Sequence, residues 1–203
     1  MTFGSEAGDR AFTEAIKSIE AGSSAEIVVA VREHARRWFV QHAIVGLVAA
    51  IGVLVYAAVL RWNVWAILAF PLVSGALAVA IVEYVGPLHR ALVPSHVRDR
   101  HVLDAARALF IARNMHATKD RTGLLVYVAV RPRACELVGD VAVVERLGED
   151  KLDAMADKLA AAIPGGAEAT AKVLASFAPE LATALPASAD NRDELPNAPI
   201  VAP

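Results

Sequence analysis

Apolar positions along this chain follow two different rhythms. From Ala43 to Leu60, and again from Val64 to Val82, no residue is charged, and only Arg61-Trp62-Asn63 separates the two runs. At about 1.5 Å of rise per helical residue, each run approaches the roughly 30 Å of a hydrocarbon core, and the flanking residues add margin. The pattern predicts a transmembrane hairpin with spans at about 38–60 and 63–83. Outside it the spacing is that of a folded α/β domain. Phe12, Ala15, Ile16 and Ile19 predict a helix over about Asp9–Ala21, with Asp9 as its cap, ended by Gly22-Ser23-Ser24. Glu26–Val31 is a β-branched run of the kind covered on both faces.

Beyond the hairpin, Val102, Leu103, Ala106, Phe110 and Met115 give one face of a helix over Val97–Met115, followed by a polar turn, His116–Thr122. Gly123–Val130 reads as a second doubly covered strand, and Arg131-Pro132-Arg133 turns it into an antiparallel partner at Ala134–Val138. Two helices follow, about Glu149–Ile163 and Glu168–Phe177, divided by Pro164-Gly165-Gly166. One helix and one strand before the hairpin cannot bury a core alone, whereas an even number of crossings returns the chain to the side it left. The expected fold is therefore an α/β sandwich interrupted by a two-helix transmembrane hairpin. Its parts are an N-terminal helix and first strand (1–35), the hairpin (36–92), the rest of the domain (93–185) and a flexible Pro-rich tail (186–203).

Charge fixes an orientation. Arg32, Arg36 and Arg37 precede the first span and Arg90, Arg98 and Arg100 follow the second, against Arg61 alone in the turn. Arginine excess marks the cytoplasmic side, so a multi-pass protein of the cell (inner) membrane with both termini cytoplasmic is expected. No signal peptide precedes the hairpin, which is left to direct targeting. Trp38, Trp62, Trp65 and Tyr84 fall near the ends of the spans, where amphipathic rings prefer to sit. Gly46 with Ala50 and Ser74 with Ala78 would let the helices approach closely, and Pro71 would bend the second. His42 lies 20 residues before Trp62 and Glu83 lies 21 after it, which puts the two at similar depth near the cytoplasmic interface. They read as a register-fixing polar pair or, in the functional alternative, as a proton-sensing element.

Composition leaves few other classes. The chain is 56% hydrophobic yet 21% charged, which suits a membrane insert carried by a soluble domain, and its net charge of −2 gives no reason to expect nucleic acid. Membrane lipid, another membrane protein or a second copy of the chain are the expected partners. Cys135 is the single cysteine, so no internal disulfide forms, and its apolar surroundings predict a small buried thiol. His89, His96 and His101 sit in a basic stretch, but the step of five from His96 to His101 does not put two metal ligands on one helical face. With Arg90, Arg98 and Arg100 they are expected to meet lipid headgroups.

Several blocks together resemble the TPM-domain family, in its bacterial predicted-membrane-protein branch. They are Ala25–Val31, Pro87–Pro94, Asp120–Val128, Glu136–Asp140 and Asp190–Pro196, in that order. The resemblance implies an α/β/α sandwich with a hairpin inserted after the first strand. Through a distant relative described as an acid phosphatase, and through relatives that bind calcium or another divalent ion by acidic loop residues, it also implies candidate chemistry. Asp120, Asp140 and Glu26 are the carboxylates that calcium or magnesium would need at such a site, although Arg121 beside Asp120 opposes a cation. The competing reading has Asp120 pairing with Arg121 or capping a turn, and Asp140 starting a loop. No phosphoryl-transfer nucleophile motif is visible, so no catalytic residue is assigned and no cofactor is required. The expected function is a binding or scaffold module for other membrane proteins. A divalent-metal-dependent phosphatase or metal-binding domain, and a small transporter subunit, are the alternatives.

Overall fold

Strand β1 (Glu26–Arg32) is the organising element of the computed structural model, which describes residues 3–33, 39–84, 95–187 and 199–202. It pairs in parallel with β2 (Gly123–Ala129) along its whole length, from Glu26 opposite Gly123 to Arg32 opposite Ala129. After a turn, β3 (Ala134–Gly139) runs back antiparallel to β2, and a short β4 (Ile200–Ala202) pairs in parallel with Ala30–Arg32. The sheet order is β3-β2-β1-β4. The four strands belong to a mixed α/β body made of residues 1–36 and 96–203, and residues 37–95 form a separate compact unit.

Both faces of the sheet are covered, which is why β1 and β2 are apolar without alternation. Ile27, Val29, Val31, Leu124, Val126 and Val128 face α1 (Glu6–Glu20), α5 (Val141–Leu147), α6 (Glu149–Ala162), α7 (Ala167–Ala175) and α8 (Ala178–Ala184). Val28, Ala30, Leu125, Tyr127 and Ala129 face one helix, α4 (Ser95–Ala112), through Val102, Ala106 and Phe110. Side chains alternate across a strand, so successive residues of one apolar run feed two cores.

Five elements differ from the sequence reading: helix α4 ends at Ala112, and Met115, expected on its face, opens a short 3-10 turn. Helix α1 begins at Glu6, where the Ser5 hydroxyl accepts from the Gly8 N–H at 3.2 Å, and Asp9 is an interior residue. Asp140 opens α5 directly instead of a loop. The segment after Phe177 forms α8. The tail expected to be flexible supplies β4, because Ile200-Val201-Ala202 is short but complements the open edge of β1.

The second unit is a pair of helices, α2 (Phe39–Val59) and α3 (Val64–Tyr84). Arg61, at φ 53°, closes α2: the Trp62 N–H reaches the Ala57 carbonyl and the Arg61 N–H the Ala58 carbonyl, both at 3.1 Å. This is a Schellman ending with arginine where glycine is usual. Asn63 then caps α3, its side chain accepting from the Ala66 N–H at 3.0 Å. A Cβ on Gly75 would fall 2.9 Å from the Gly46 carbonyl oxygen and 3.3 Å from the Ala50 Cβ, so the helices touch backbone to backbone there. The partner of Gly46 and Ala50 is thus Gly75 and not Ser74 with Ala78; the Ser74 hydroxyl donates to the Pro71 carbonyl at 3.0 Å. Among the described residues one helix segment, Val64–Val82, is long and apolar enough to cross a membrane, and Ala43–Val59 is a shorter apolar stretch.

Candidate functional site at the polar end of the sheet

Six buried polar residues, Ser23, Ser24, Glu26, Thr118, Thr122 and Asp140, belong to the segments that meet where β1 and β2 begin and β3 ends. Register explains the gathering. Glu26 stands opposite Gly123, the Gly123 carbonyl accepts from the Asp140 N–H at 2.8 Å, and the Thr122 carbonyl accepts from the Glu26 N–H at 3.1 Å. Glu26, Gly123 and Asp140 therefore form one row across three strands. Gly123 is required by a close approach, since a Cβ there would lie 2.5 Å from the carbonyl oxygen of Met115.

Asp140 is the centre of the row. Its Oδ1 accepts from the Val141 N–H at 2.8 Å, and its carbonyl accepts from Val143 and Val144, both at 3.0 Å, so it starts α5. Its Oδ2 lies 3.0 Å from Arg121 Nε, outside good hydrogen-bonding geometry. Arg121 takes a left-handed backbone, φ 56°, which lets its N–H donate to the Thr118 carbonyl and its own carbonyl accept from the Ala142 N–H, each at 3.2 Å. Among the described residues, Asp140 Oδ2 and Thr118 Oγ1 are the fully buried side-chain polar atoms that make no hydrogen bond. Both belong to the segments that Arg121 stitches together.

The row gathers the expected carboxylates only in part. Glu26 and Asp140 are buried in it, whereas Asp120 is exposed. Among the described residues no three His, Cys, Asp or Glu side chains are grouped to hold a metal ion, and a guanidinium already stands at Asp140. That donor set does not fit a divalent cation, which wants several converging oxygens. One alternative of the sequence reading paired Arg121 with Asp120; the structure places Arg121 against Asp140, which is 4% exposed. Thr118 and Thr122 were missed, and their signal is slight: two threonines in a turn that leads into a wholly apolar strand.

Cys135 is buried on β3, and burial, with the Glu136 carboxylate beside it, pushes its thiol well above the ordinary range, which disqualifies it as a nucleophile. At the opposite end of the sheet, Arg131 donates from Nε (2.9 Å) and Nη2 (2.8 Å) to Glu33 Oε1, and its N–H donates to the Glu33 carbonyl at 3.0 Å. This clamp ties the residue that leaves β1 to the turn that follows β2.

Of the membrane-interface residues, Trp62 makes edge contacts with Tyr56 (6.0 Å) and Phe70 (5.3 Å) at the helical turn, while Trp65 and Arg100 are exposed. Arg36, Arg37, Trp38 and Arg90 lie outside the described residues. His42, Glu83, Tyr84 and Arg98 fall within helices whose side chains at those positions are likewise outside them.

No family model and no curated protein matches the sequence. Among solved structures, the chain is similar to the BA42 protein from the psychrophilic bacterium Bizionia argentinensis, determined by NMR, with a TM-score of 0.60 and 18% identity. The match covers 98% of this chain and 96% of that one. At that identity the likeness is one of fold, that of a mixed α/β protein.

Proposed function

We propose that the α2–α3 pair spans the cell membrane as a hairpin and anchors a TPM-like α/β/α domain on the cytoplasmic side, where the protein serves as a binding module for other membrane proteins. The observation that carries this reading is the parallel pairing of β1 with β2 over all seven residues, across an insert whose two helices carry no charge from Ala43 to Val59 and from Val64 to Val82. Strands of one sheet must lie on one side of a bilayer, so whatever the insert crosses it must cross back. The outward side chains of the pair support the same reading: Leu47, Val59, Trp65 and Leu72 are all large, apolar and exposed, and such a surface is stable only when lipid or protein covers it. The arginine distribution favours the cytoplasmic placement of both termini.

A binding role is preferred to phosphoester chemistry because Asp140 is committed to its helix cap and to Arg121. It is preferred to transport because two helices enclose no pathway. The test has two arms. In a Cys135→Ala background, Asn63→Cys is labelled in intact cells by an impermeant maleimide and Asp153→Cys only after lysis; the reverse result overturns the orientation. Photocrosslinkers at Leu47 and Leu72 recover a reproducible membrane protein; recovery of lipid and self alone overturns the binding module.

A further inference from the structure

Charge is divided between the two helical layers of the domain. Residues 6–20 and 141–184, which cover one face of the sheet, hold six Lys/Arg against eleven Asp/Glu, a net of −5. Residues 95–121, which contain the one α-helix described on the other face, hold six Lys/Arg against three Asp/Glu, a net of +3. A domain whose net charge is −4 is thus polarised across its sheet.

Helix α4 concentrates the basic side in usable form. Val102, Ala106 and Phe110 pack inward, and at helical spacing the opposite stripe is Arg100, Asp104, Arg107 and Ile111. All four are exposed, Ile111 by 66% although it is large and apolar. Arg100 and Arg107 form no ion pair among the described residues, and Asp104 is the one acid on the stripe. Two arginines with apolar stems, Arg107 one turn and Arg100 three turns before an exposed isoleucine, suit a boundary with anionic headgroups on the outside and acyl chains beneath. Helix α4 is also the first described element after the helix pair in chain order.

We propose that the outward face of α4 docks on the anionic surface of the cytoplasmic leaflet, through Arg100, Arg107 and Ile111, and turns the acidic layer of the domain toward the cytoplasm. The inference rests on the membrane-anchor reading above and adds that the domain lies against the lipid instead of swinging free on its linkers. Each arginine near such a surface strengthens docking roughly fivefold, and the effect falls within a Debye length.

The full-length chain with Cys135→Ala, carrying a fluorophore at Ala108→Cys or at Asp153→Cys, is reconstituted into phosphatidylcholine vesicles with or without phosphatidylglycerol. Flotation is scored first, then quenching by a headgroup-attached quencher. The expected result is strong quenching at position 108 in the anionic vesicles alone. Position 153 stays unquenched, high salt abolishes the signal, and R100Q and R107Q each weaken docking several-fold with unchanged circular dichroism. Protein that floats but is quenched equally at both positions, or equally with and without phosphatidylglycerol, overturns the docking and leaves the anchor standing. Protein that does not float overturns the anchor and the docking with it.

Discussion

Arg121 and Asp140 stand 3.0 Å apart in space, and one residue is held in a left-handed backbone while the other is buried at a helix start. The carboxylate cannot leave without uncapping α5, and the guanidinium cannot leave without stranding a buried charge. Asp140→Asn keeps the cap and loses the ion pair, so it is expected to cost about 1 kcal/mol, and Asp140→Ala, which loses both, about 2–3 kcal/mol. Arg121→Ala leaves the carboxylate unpaired and retains the backbone strain. Arg121→Gly relieves that strain by about 1 kcal/mol and is expected to be the more stable of the two. Thermal unfolding of the four variants checks the order; equal stability of the two Arg121 variants would remove the strain account.

The seam of the hairpin gives a prediction with a built-in control. Gly75→Leu must force Cβ into the space held by the Gly46 carbonyl, whereas nothing lies within 4 Å of a Cβ on Gly52. Separating the helices should lower the melting temperature of the full chain in detergent markedly for Gly75→Leu and little for Gly52→Leu. Comparable losses for the two would contradict the close backbone contact.

Cys135 should resist thiol reagents at pH 8 until the domain unfolds, with the labelling rate following the unfolding rate. Its pH consequence has a definite sign. Burial raises the folded thiol above its ordinary value of 9.0, and burial likewise raises the Tyr127 phenol above 10.0 against the opposing pull of Arg32. The folded state holds these protons more tightly, so their stabilisation is complete below the ordinary values and is lost as pH rises beyond them. Stability is expected to fall from about pH 9 upward. Cys135→Ala should move the onset to higher pH; a melting profile identical to that of the parent chain would exclude the thiol as its source.

Removing residues 199–203 tests the short strand at the edge of the sheet. β1 keeps its seven-residue pairing with β2, so the domain should stay folded, with faster amide exchange confined to Ala30–Arg32. Global unfolding on truncation would show that β4 carries more than an edge.

The sequence made β1 and β2 legible because doubly covered strands must be apolar throughout, the helical faces of α1 and α4 followed from their spacing, and α6 from the Pro164-Gly165-Gly166 break that ends it. The misses have particular causes. Val141-Ala-Val-Val144 is β-branched, which conceals a two-turn helix that depends on the Asp140 cap. Glycines at 4 and 8 made Ser5 an unpromising start for α1, although its hydroxyl makes the capping bond. Ile200–Ala202 is too short for a periodic signal and sits among prolines. At the polar end of the sheet, Asp140 was recognisable as a chemically competent residue, but its partner depended on an arginine adopting φ 56°, which no local pattern announces. The glycine opposite Gly46 was misplaced by one position because small residues in an apolar run do not report which way they face.

The parallel pairing of β1 with β2 also sets an order of events during synthesis. Glu26 and its partner Gly123 are 97 positions apart, so β1 is made well before anything it can pair with exists. Closing so long a separation is slow for a free chain, and an exposed apolar strand invites wrong pairing meanwhile. Held by a bilayer, however, the two ends of the insert would wait side by side, shortening the search. If the helix pair is the membrane anchor proposed above, maturation of the sheet would be coupled to its prior insertion, and a chain that failed to insert would be an aggregation-prone substrate for chaperones and proteases.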